Sequence, residues 1–237
     1  MSLLINPYRF AAAGATDPNF SNVSLLLHGD GTNGSTTITD SSGSPKTVTA
    51  FGNAQISTAR SKFGNASIAF DGTGDYLGLG TGNTAYQFGS GNWTVEGWIY
   101  RLNTNSSVFL VGQSDLSTPT GSGYVFYVGP DNSSVYVGSS AFSIASPNPS
   151  ANQWAHVAYV RNGGVFSSYL NGSLVASRSN LGSLSINNGA TTFQASIGGF
   201  ADGNVVLNGY IDDLRVTKGV ARYTANFTPP TSPFPNS

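Results

Sequence analysis

From about Val23 onward one unit recurs along the chain: a short run rich in Val, Ile, Thr, Tyr, Phe or Trp, closed by Gly, Asn, Asp or Ser. β-branched and aromatic residues suit a pleated, half-buried surface, and Gly, Asn and Asp tolerate the backbone angles of tight turns, so the rhythm predicts many short antiparallel strands. The clearest runs are Val23–His28, Lys46–Phe51, Ser67–Phe70, Trp93–Tyr100, Val108–Gly112, Tyr124–Val128, Ser134–Gly138, Trp154–Arg161, Val165–Leu170, Leu174–Arg178, Thr192–Gly198 and Val205–Val216. Asn162-Gly163 and Asn171-Gly172 read as type I′ hairpin turns, which need positive φ at both central residues, and they join the runs around them into a three-strand meander. Apolar residues at helical spacing do not persist over three turns anywhere, and one helical turn is expected at Lys218–Tyr223. The fold class is therefore all-β, and the number of strands favours two stacked antiparallel sheets, which bury both inner faces.

Composition narrows the function. Charged residues are 9% of the 237-residue chain and the formal net charge is -1, with no Lys/Arg cluster, so the basic patch that nucleic acid requires is missing. Hydrophobic residues at 39% and aromatics at 12% are enough to build a core. With no cysteine, disulfides, thiolate metal sites and cysteine nucleophiles are excluded. No apolar run approaches the ~20 residues that span a bilayer, and Asn6 and Pro7 interrupt the start, so neither a membrane span nor a signal peptide is expected.

Residues 1–22 form an N-terminal arm in which Leu3, Leu4, Ile5, Tyr8 and Phe10 either pack on their own domain or dock on a partner, since left in water they would form an exposed apolar patch. Residues 23–228 are the β domain and residues 229–237 a Pro-rich tail.

Ser67-Ile-Ala-Phe-Asp-Gly-Thr-Gly-Asp-Tyr-Leu77, Trp93-Thr-Val-Glu-Gly-Trp-Ile-Tyr100, Trp154-Ala-His-Val-Ala-Tyr-Val-Arg161, Tyr169-Leu-Asn-Gly172 and Gly209-Tyr-Ile-Asp-Asp-Leu-Arg-Val216 follow one another with Leu25-Leu-Leu-His-Gly-Asp30 ahead of them. The ordered set resembles the concanavalin-A-like jelly rolls in their laminin-G-like form, over roughly residues 23–228. Gly219-Val-Ala-Arg-Tyr-Thr-Ala-Asn-Phe-Thr-Pro-Pro230 resembles the ending of phage and marine viral members, and Ile5-Asn-Pro-Tyr-Arg-Phe10 the start of phage structural proteins. The resemblance implies a two-sheet jelly roll; its members serve as sugar binders, adhesion modules, hydrolases and spacers, so function has to be argued from residues.

A glycosidase needs two carboxylates flanking one bond. Glu96 is the one acid in the strand Thr94–Tyr100, where same-face neighbours are Trp98 and Tyr100, so a cross-sheet hydrogen-bonding role is expected for it. His28 and His156 are the only candidate bases, no G-x-S-x-G elbow accompanies them, and a structural role is expected for His156. Asp212 shares parity with Leu214 and Val216, so it is expected to point with them into the core, where it needs either a cation or several N–H donors. Jelly rolls of this kind often hold a structural calcium ion, and Asp30, Asp40 and Asp212 are the acids proposed for one; hydrogen bonds alone are the alternative. Asp213, on the opposite parity beside Ile211 and Arg215, is assigned to the surface, and Asp71 and Asp75 to turn chemistry, with a second-choice role as calcium ligands. For stacking on a sugar ring the candidates are Tyr86, Tyr124, Tyr127, Tyr136 and Phe200, but parity singles out no platform among so many aromatics.

These features lead to a non-enzymatic surface protein of a phage particle, assembled in the host cytoplasm, docked by its arm to capsid or tail proteins. It would decorate the particle or adhere to host glycans, as a homo-oligomer that gains avidity from repetition. The alternative is a carbohydrate-active enzyme or its appended binding module.

Overall fold

The structure, a computed structural model, describes residues 16–105, 107–112, 123–130, 134–186 and 194–237. Fourteen strands appear among them: β1 (Val23–Leu27), β2 (Thr49–Phe51), β3 (Gln55–Ser57), β4 (Ser67–Asp71), β5 (Tyr76–Thr81), β6 (Trp93–Arg101), β7 (Ser107–Val111), β8 (Gly123–Val128), β9 (Ser134–Ala145), β10 (Trp154–Asn162), β11 (Val165–Leu170), β12 (Ser173–Arg178), β13 (Gln194–Ile197) and β14 (Asn208–Lys218). They form two antiparallel sheets. The eight-stranded one runs β12-β11-β10-β6-β14-β4-β3 with β1 added against β14, and the six-stranded one runs β2-β5-β13-β7-β8-β9. This is the two-sheet jelly-roll sandwich expected. Short 3₁₀ turns at Phe20–Asn22 and Thr84–Tyr86 are the helical elements among the described residues, and no helix there is long and apolar enough to cross a membrane.

The interior lies between the sheets. Leu25, Leu27, Ile56, Ile68, Phe70, Val95, Ile99, Ile211, Leu214 and Val216 face inward from the larger sheet, and Leu77, Leu79, Phe109, Phe126 and Ile197 meet them from the smaller. Aromatic rings fill the middle, with Phe126 stacked on Tyr159 at 4.9 Å between centroids and Trp93 against Phe88 at 4.9 Å.

Local expectations changed in four places. β3 and β5, not among the clearest runs in the sequence, are strands held by pairing to β4, β2 and β13. No helical turn forms at Lys218–Tyr223; β14 runs to Lys218 and the chain then lies along the sheet. At the first meander turn Asn162 pairs with Val165 as the last strand residue, so the two-residue loop is Gly163-Gly164; at the second, Asn171 (φ 48°) and Gly172 (φ 77°) adopt the angles expected of type I′.

The fourth change is a bulge in β14. Its register to β6 pairs Asp212 with Trp98 and then Arg215 with Glu96, two positions further along β6 and three along β14, so one residue is extra. Asp213 is at φ 50° there, and Gly97 lies opposite, where a Cβ would press within 3.0 Å of Leu214 Cα. The bulge reverses parity: Ile211, Leu214 and Val216 face the core, while Tyr210, Asp212, Arg215 and Thr217 face outward. Asp212 is thus not in the core with Leu214 and Val216.

Candidate functional site

The outer face of the eight-stranded sheet divides into three zones along β6, whose outward residues are Thr94, Glu96, Trp98 and Tyr100. Residues 219–236 cover the first. Ala221, Tyr223 and Phe227 pack on Ala158, Val160 and Tyr169, and Phe234 packs on Val23 and Leu26. Gly172 permits this close approach, since its carbonyl accepts the Phe227 N–H at 2.9 Å and a Cβ there would collide with the Phe227 carbonyl. The described residues of both tails therefore belong to the domain, with the Asp17 N–H bonded to the Ser237 carbonyl at 2.7 Å. Leu3, Leu4, Ile5, Tyr8 and Phe10 lie outside the described residues.

Under this strap sits a buried charge network. Glu96 Oε1 accepts from Arg215 Nε (3.1 Å) and Nη2 (2.7 Å), and Oε2 accepts the Tyr223 hydroxyl (2.6 Å). Asp17 links Arg215 and Arg222, the latter through two hydrogen bonds of 3.1 and 2.6 Å. Burial alone would raise the Glu96 pKa, but the Arg215 charge, His156 and the Tyr223 hydroxyl together bring it down to about 2. His156 Nε2 lies 3.3 Å from Glu96 Oε2, with its ring edge-on to Trp98 and Phe227. A carboxylate held ionised and closed off from solvent in this way suits a structural acceptor, not a general acid, which needs a raised pKa.

The second zone holds Trp98 and Asp212 beneath the 60–65 loop. Asp212 Oδ2 accepts the N–H groups of Lys62 (2.6 Å) and Phe63 (3.1 Å), and Asp30 Oδ1 accepts that of Asn65 (3.2 Å). Burial pushes Asp212 up to about 7, against those two donors and helped by the neighbouring charges of Asp213 and Asp30. Asp40 is elsewhere, with Leu26 N, Ser42 N, Ser42 Oγ and Lys46 N all donating to it between 2.8 and 3.0 Å. The three acids named for calcium are thus not gathered. Asp30 and Asp212 tie one loop, Asp40 ties another, and no group of three His, Cys, Asp or Glu side chains among the described residues could hold a metal ion.

Asp213, assigned to the surface from parity, is fully buried instead, because the bulge turns it toward the C-terminal segment. It accepts the Phe234 N–H (2.8 Å) and meets His28 Nδ1 at 2.6 Å. Desolvation opposes protonation of His28, yet hydrogen bonds to Asp213 and Asn236 raise its pKa. Asp75 and Asp71 do serve turns, taking the N–H groups of Asn53 (2.5 Å), Asp71 (2.7 Å) and Thr73 (2.8 Å).

The third zone is open. Gln55 pairs with Ala69, Ala69 with Tyr210, Tyr210 with Tyr100, and Tyr100 with Trp154, so five neighbouring strands bring these side chains into one row on one face. At ~4.8 Å between strands the row is about 19 Å long. Tyr100 lies edge-to-face with Trp154 (5.6 Å between centroids) and Tyr210 (6.0 Å); it is itself mostly covered, while Trp154 and Tyr210 are half-exposed. Small Ala69 leaves a depression of about 450 Å³ beside Tyr210, edged by Asn53, Gln55, Asp71 and Asn208. Of the aromatics considered from the sequence, Tyr86, Tyr124 and Phe200 are buried and offer no ring face, Tyr127 packs on Phe200, and Tyr136 falls outside the described side chains. Trp154, Tyr100 and Tyr210 were missed because cross-strand register, which aligns them, is not written in any one segment.

A family model for the concanavalin A-like lectin/glucanases superfamily matches residues 71–222. The chain belongs to this superfamily. No curated protein matches it in sequence. Among solved structures it is similar to domain 4 of AbnA, a GH43 extracellular arabinanase from Geobacillus stearothermophilus, in complex with arabinotriose. That match has 19% identity and a TM-score of 0.57, and covers 84% of this chain and 94% of that one. It is also similar to botulinum neurotoxin type C, whose cell entry depends on interaction with two ganglioside molecules (14%, TM-score 0.54, 85% of this chain and 49% of that one). A third similarity is to Trypanosoma rangeli sialidase in complex with sialic acid (13%, TM-score 0.53, 83% and 31%). At these identities the likeness shows a shared fold, one that spans about half of the toxin chain and a third of the sialidase.

Proposed function

We propose that this jelly roll is a non-catalytic glycan-adhesion module whose binding face is the open third of the eight-stranded sheet. The observation that carries the reading is the row Gln55–Ala69–Tyr210–Tyr100–Trp154. Half-exposed aromatic rings for stacking stand beside amides and a carboxylate that bond hydroxyls, over a shallow depression, which is the chemistry that binds a sugar chain lying across a surface. A binding rather than a hydrolytic role is supported by Glu96, which is committed to Arg215 and Tyr223 under the C-terminal strap. The similar folds whose complexes include arabinotriose or sialic acid are consistent with such a use.

The test is binding of a printed oligosaccharide panel, followed by calorimetry on the hits. Tyr210→Ala and Trp154→Ala should each weaken binding about tenfold or more with the domain still folded at the assay temperature, while Glu96→Gln should alter no cleavage activity. Binding unaffected by both aromatic substitutions would sink the assignment of this face, and polysaccharide cleavage lost in the Glu96 variant would favour an enzyme.

The setting proposed for the module is a phage particle surface, where the apolar N-terminal residues dock on capsid or tail proteins and repeated copies supply avidity. Deleting residues 1–15 should leave a folded domain that no longer joins particles; normal incorporation would refute the docking role.

A further inference from the structure

We propose that the ligand of this face is an acidic oligosaccharide, and that Arg60 selects it by pairing with a sugar carboxylate; the inference rests on the glycan-binding reading above and narrows its substrate class. Arg60 leaves the 60–65 loop and lies across the row, its guanidinium carbon 4.5 Å above the Tyr100 ring, between the half-exposed Tyr210 and Trp154. The cation covers the one ring of the row that is otherwise mostly closed, and its head stays exposed. Two residues on, Lys62 Nζ sits 3.9 Å above the Trp98 ring.

Neither cation forms an ion pair with a carboxylate among the described residues. The contrast within the same molecule is informative. Arg215 and Arg222 are paired with Asp17 and Glu96, and Arg101 and Arg161 are bound to carbonyls, through Pro149 and Asn105 in one case and Leu184 and Gly182 in the other. Among the described residues the Arg60 side chain is held by an aromatic face alone, which orients the planar fork without using its N–H donors. The neighbouring acids form no ion pair with either cation. Asp212 and Asp30 bind backbone N–H groups of the loop, and Asp71 stands at the far edge of the depression, bonded to Asn53 and Thr73. In a chain with only 9% charged residues, two cations without a carboxylate partner among the described residues stand on one face beside an aromatic row.

A sugar stacked on Tyr210 over Ala69 would turn one edge to Gln55, Asn208 and Asp71, which bond hydroxyls, and the other to Arg60. A carboxylate on that edge receives two parallel N–H···O bonds from the fork, a geometry that a neutral hydroxymethyl group cannot match. Lys62 adds charge without directional demand.

Calorimetric titration with oligogalacturonate, oligomannuronate and sialyllactose, each beside its carboxyl-reduced form, and with a sulfated galactan oligosaccharide tests this on wild type, Arg60→Gln and Tyr210→Ala. A carboxylated sugar should bind about tenfold or more tightly than its reduced form. The gap should shrink in high salt and disappear in Arg60→Gln. Tyr210→Ala should weaken both forms. Equal binding of acid and reduced sugars, lost in Tyr210→Ala, would overturn the acidic preference and leave the adhesion reading standing. Tighter binding of the sulfated sugar than of every carboxylated one would overturn the carboxylate assignment. Binding of no sugar in the panel, with wild type shown folded by its thermal melt, would overturn this inference, and a blank printed panel the adhesion reading itself.

Discussion

Glu96→Gln isolates the buried charge network from every other feature of the fold. The change keeps the size of the side chain but removes the charge that two bonds from Arg215 and one from Tyr223 converge upon. In the wild type the Glu96 pKa falls from 4.5 to about 2, burial being outweighed by Arg215, His156 and Tyr223. At ~1.4 kcal/mol per pKa unit, this makes the ionised form worth about 3 kcal/mol of stability. A folded-state pKa below the unfolded one means that the contribution is complete above pH ~4.5 and is lost as the pH falls toward ~2. The Gln variant leaves Arg215 and Arg222 with Asp17 as their one remaining carboxylate, and breaking such a buried pair from one side costs about 3–5 kcal/mol. Urea denaturation at pH 7 should therefore show a loss of about 3 kcal/mol, and repeating it between pH 2 and 6 should show the wild type approaching the variant as Glu96 is protonated. A loss below about 1 kcal/mol at pH 7, or parallel pH profiles for the two proteins, would refute the claim that this carboxylate anchors the C-terminal strap.

Asp212 should behave with the opposite sign. Its folded pKa of about 7 exceeds the usual 3.8, so the folded chain holds an extra proton between those values and stability should fall as pH rises through that window. Asp212→Asn, whose carbonyl can still accept from Lys62 and Phe63, should flatten that slope and stabilise the protein by roughly 2–4 kcal/mol at pH 8; a wild-type profile flat from pH 4 to 7 would contradict it. Because the acids named for calcium are spread over two loops, chelator should leave the melting temperature unchanged, and a fall that Asp212→Ala abolishes would restore the ion. Gly172→Ala should displace the strap and lower stability by several kcal/mol, measured by denaturant titration, whereas Gly74→Ala, with open space around it, should cost only its backbone strain, about 1–2 kcal/mol.

What could be read from the sequence was whatever depends on local periodicity. The alternation of β-branched and aromatic residues with turn formers placed most of the strands, and Asn171-Gly172 located a turn through the φ preferences of its two residues. β3, only three residues long, and the glycine-containing β5 escaped because they are strands by virtue of their partners. Parity reasoning held wherever a strand was regular, as in β6, and failed in β14. One extra residue at Asp213 turned Asp212 outward to the 60–65 loop and buried Asp213 against His28 and Phe234.

The candidate site divides in the same way. Sequence alone determined that Glu96 lacks a same-strand acid partner and that thiol chemistry is not in reach, because these follow from which residues are present. Tertiary structure decided that Tyr210, Tyr100 and Trp154 form one row and that residues 219–236 close over Glu96. It also decided that Arg60 lies on a ring instead of against an acid. The physical reason is that strand register and strap docking are set by contacts between segments far apart in the chain, where the pattern within each segment is the same whichever partner it meets.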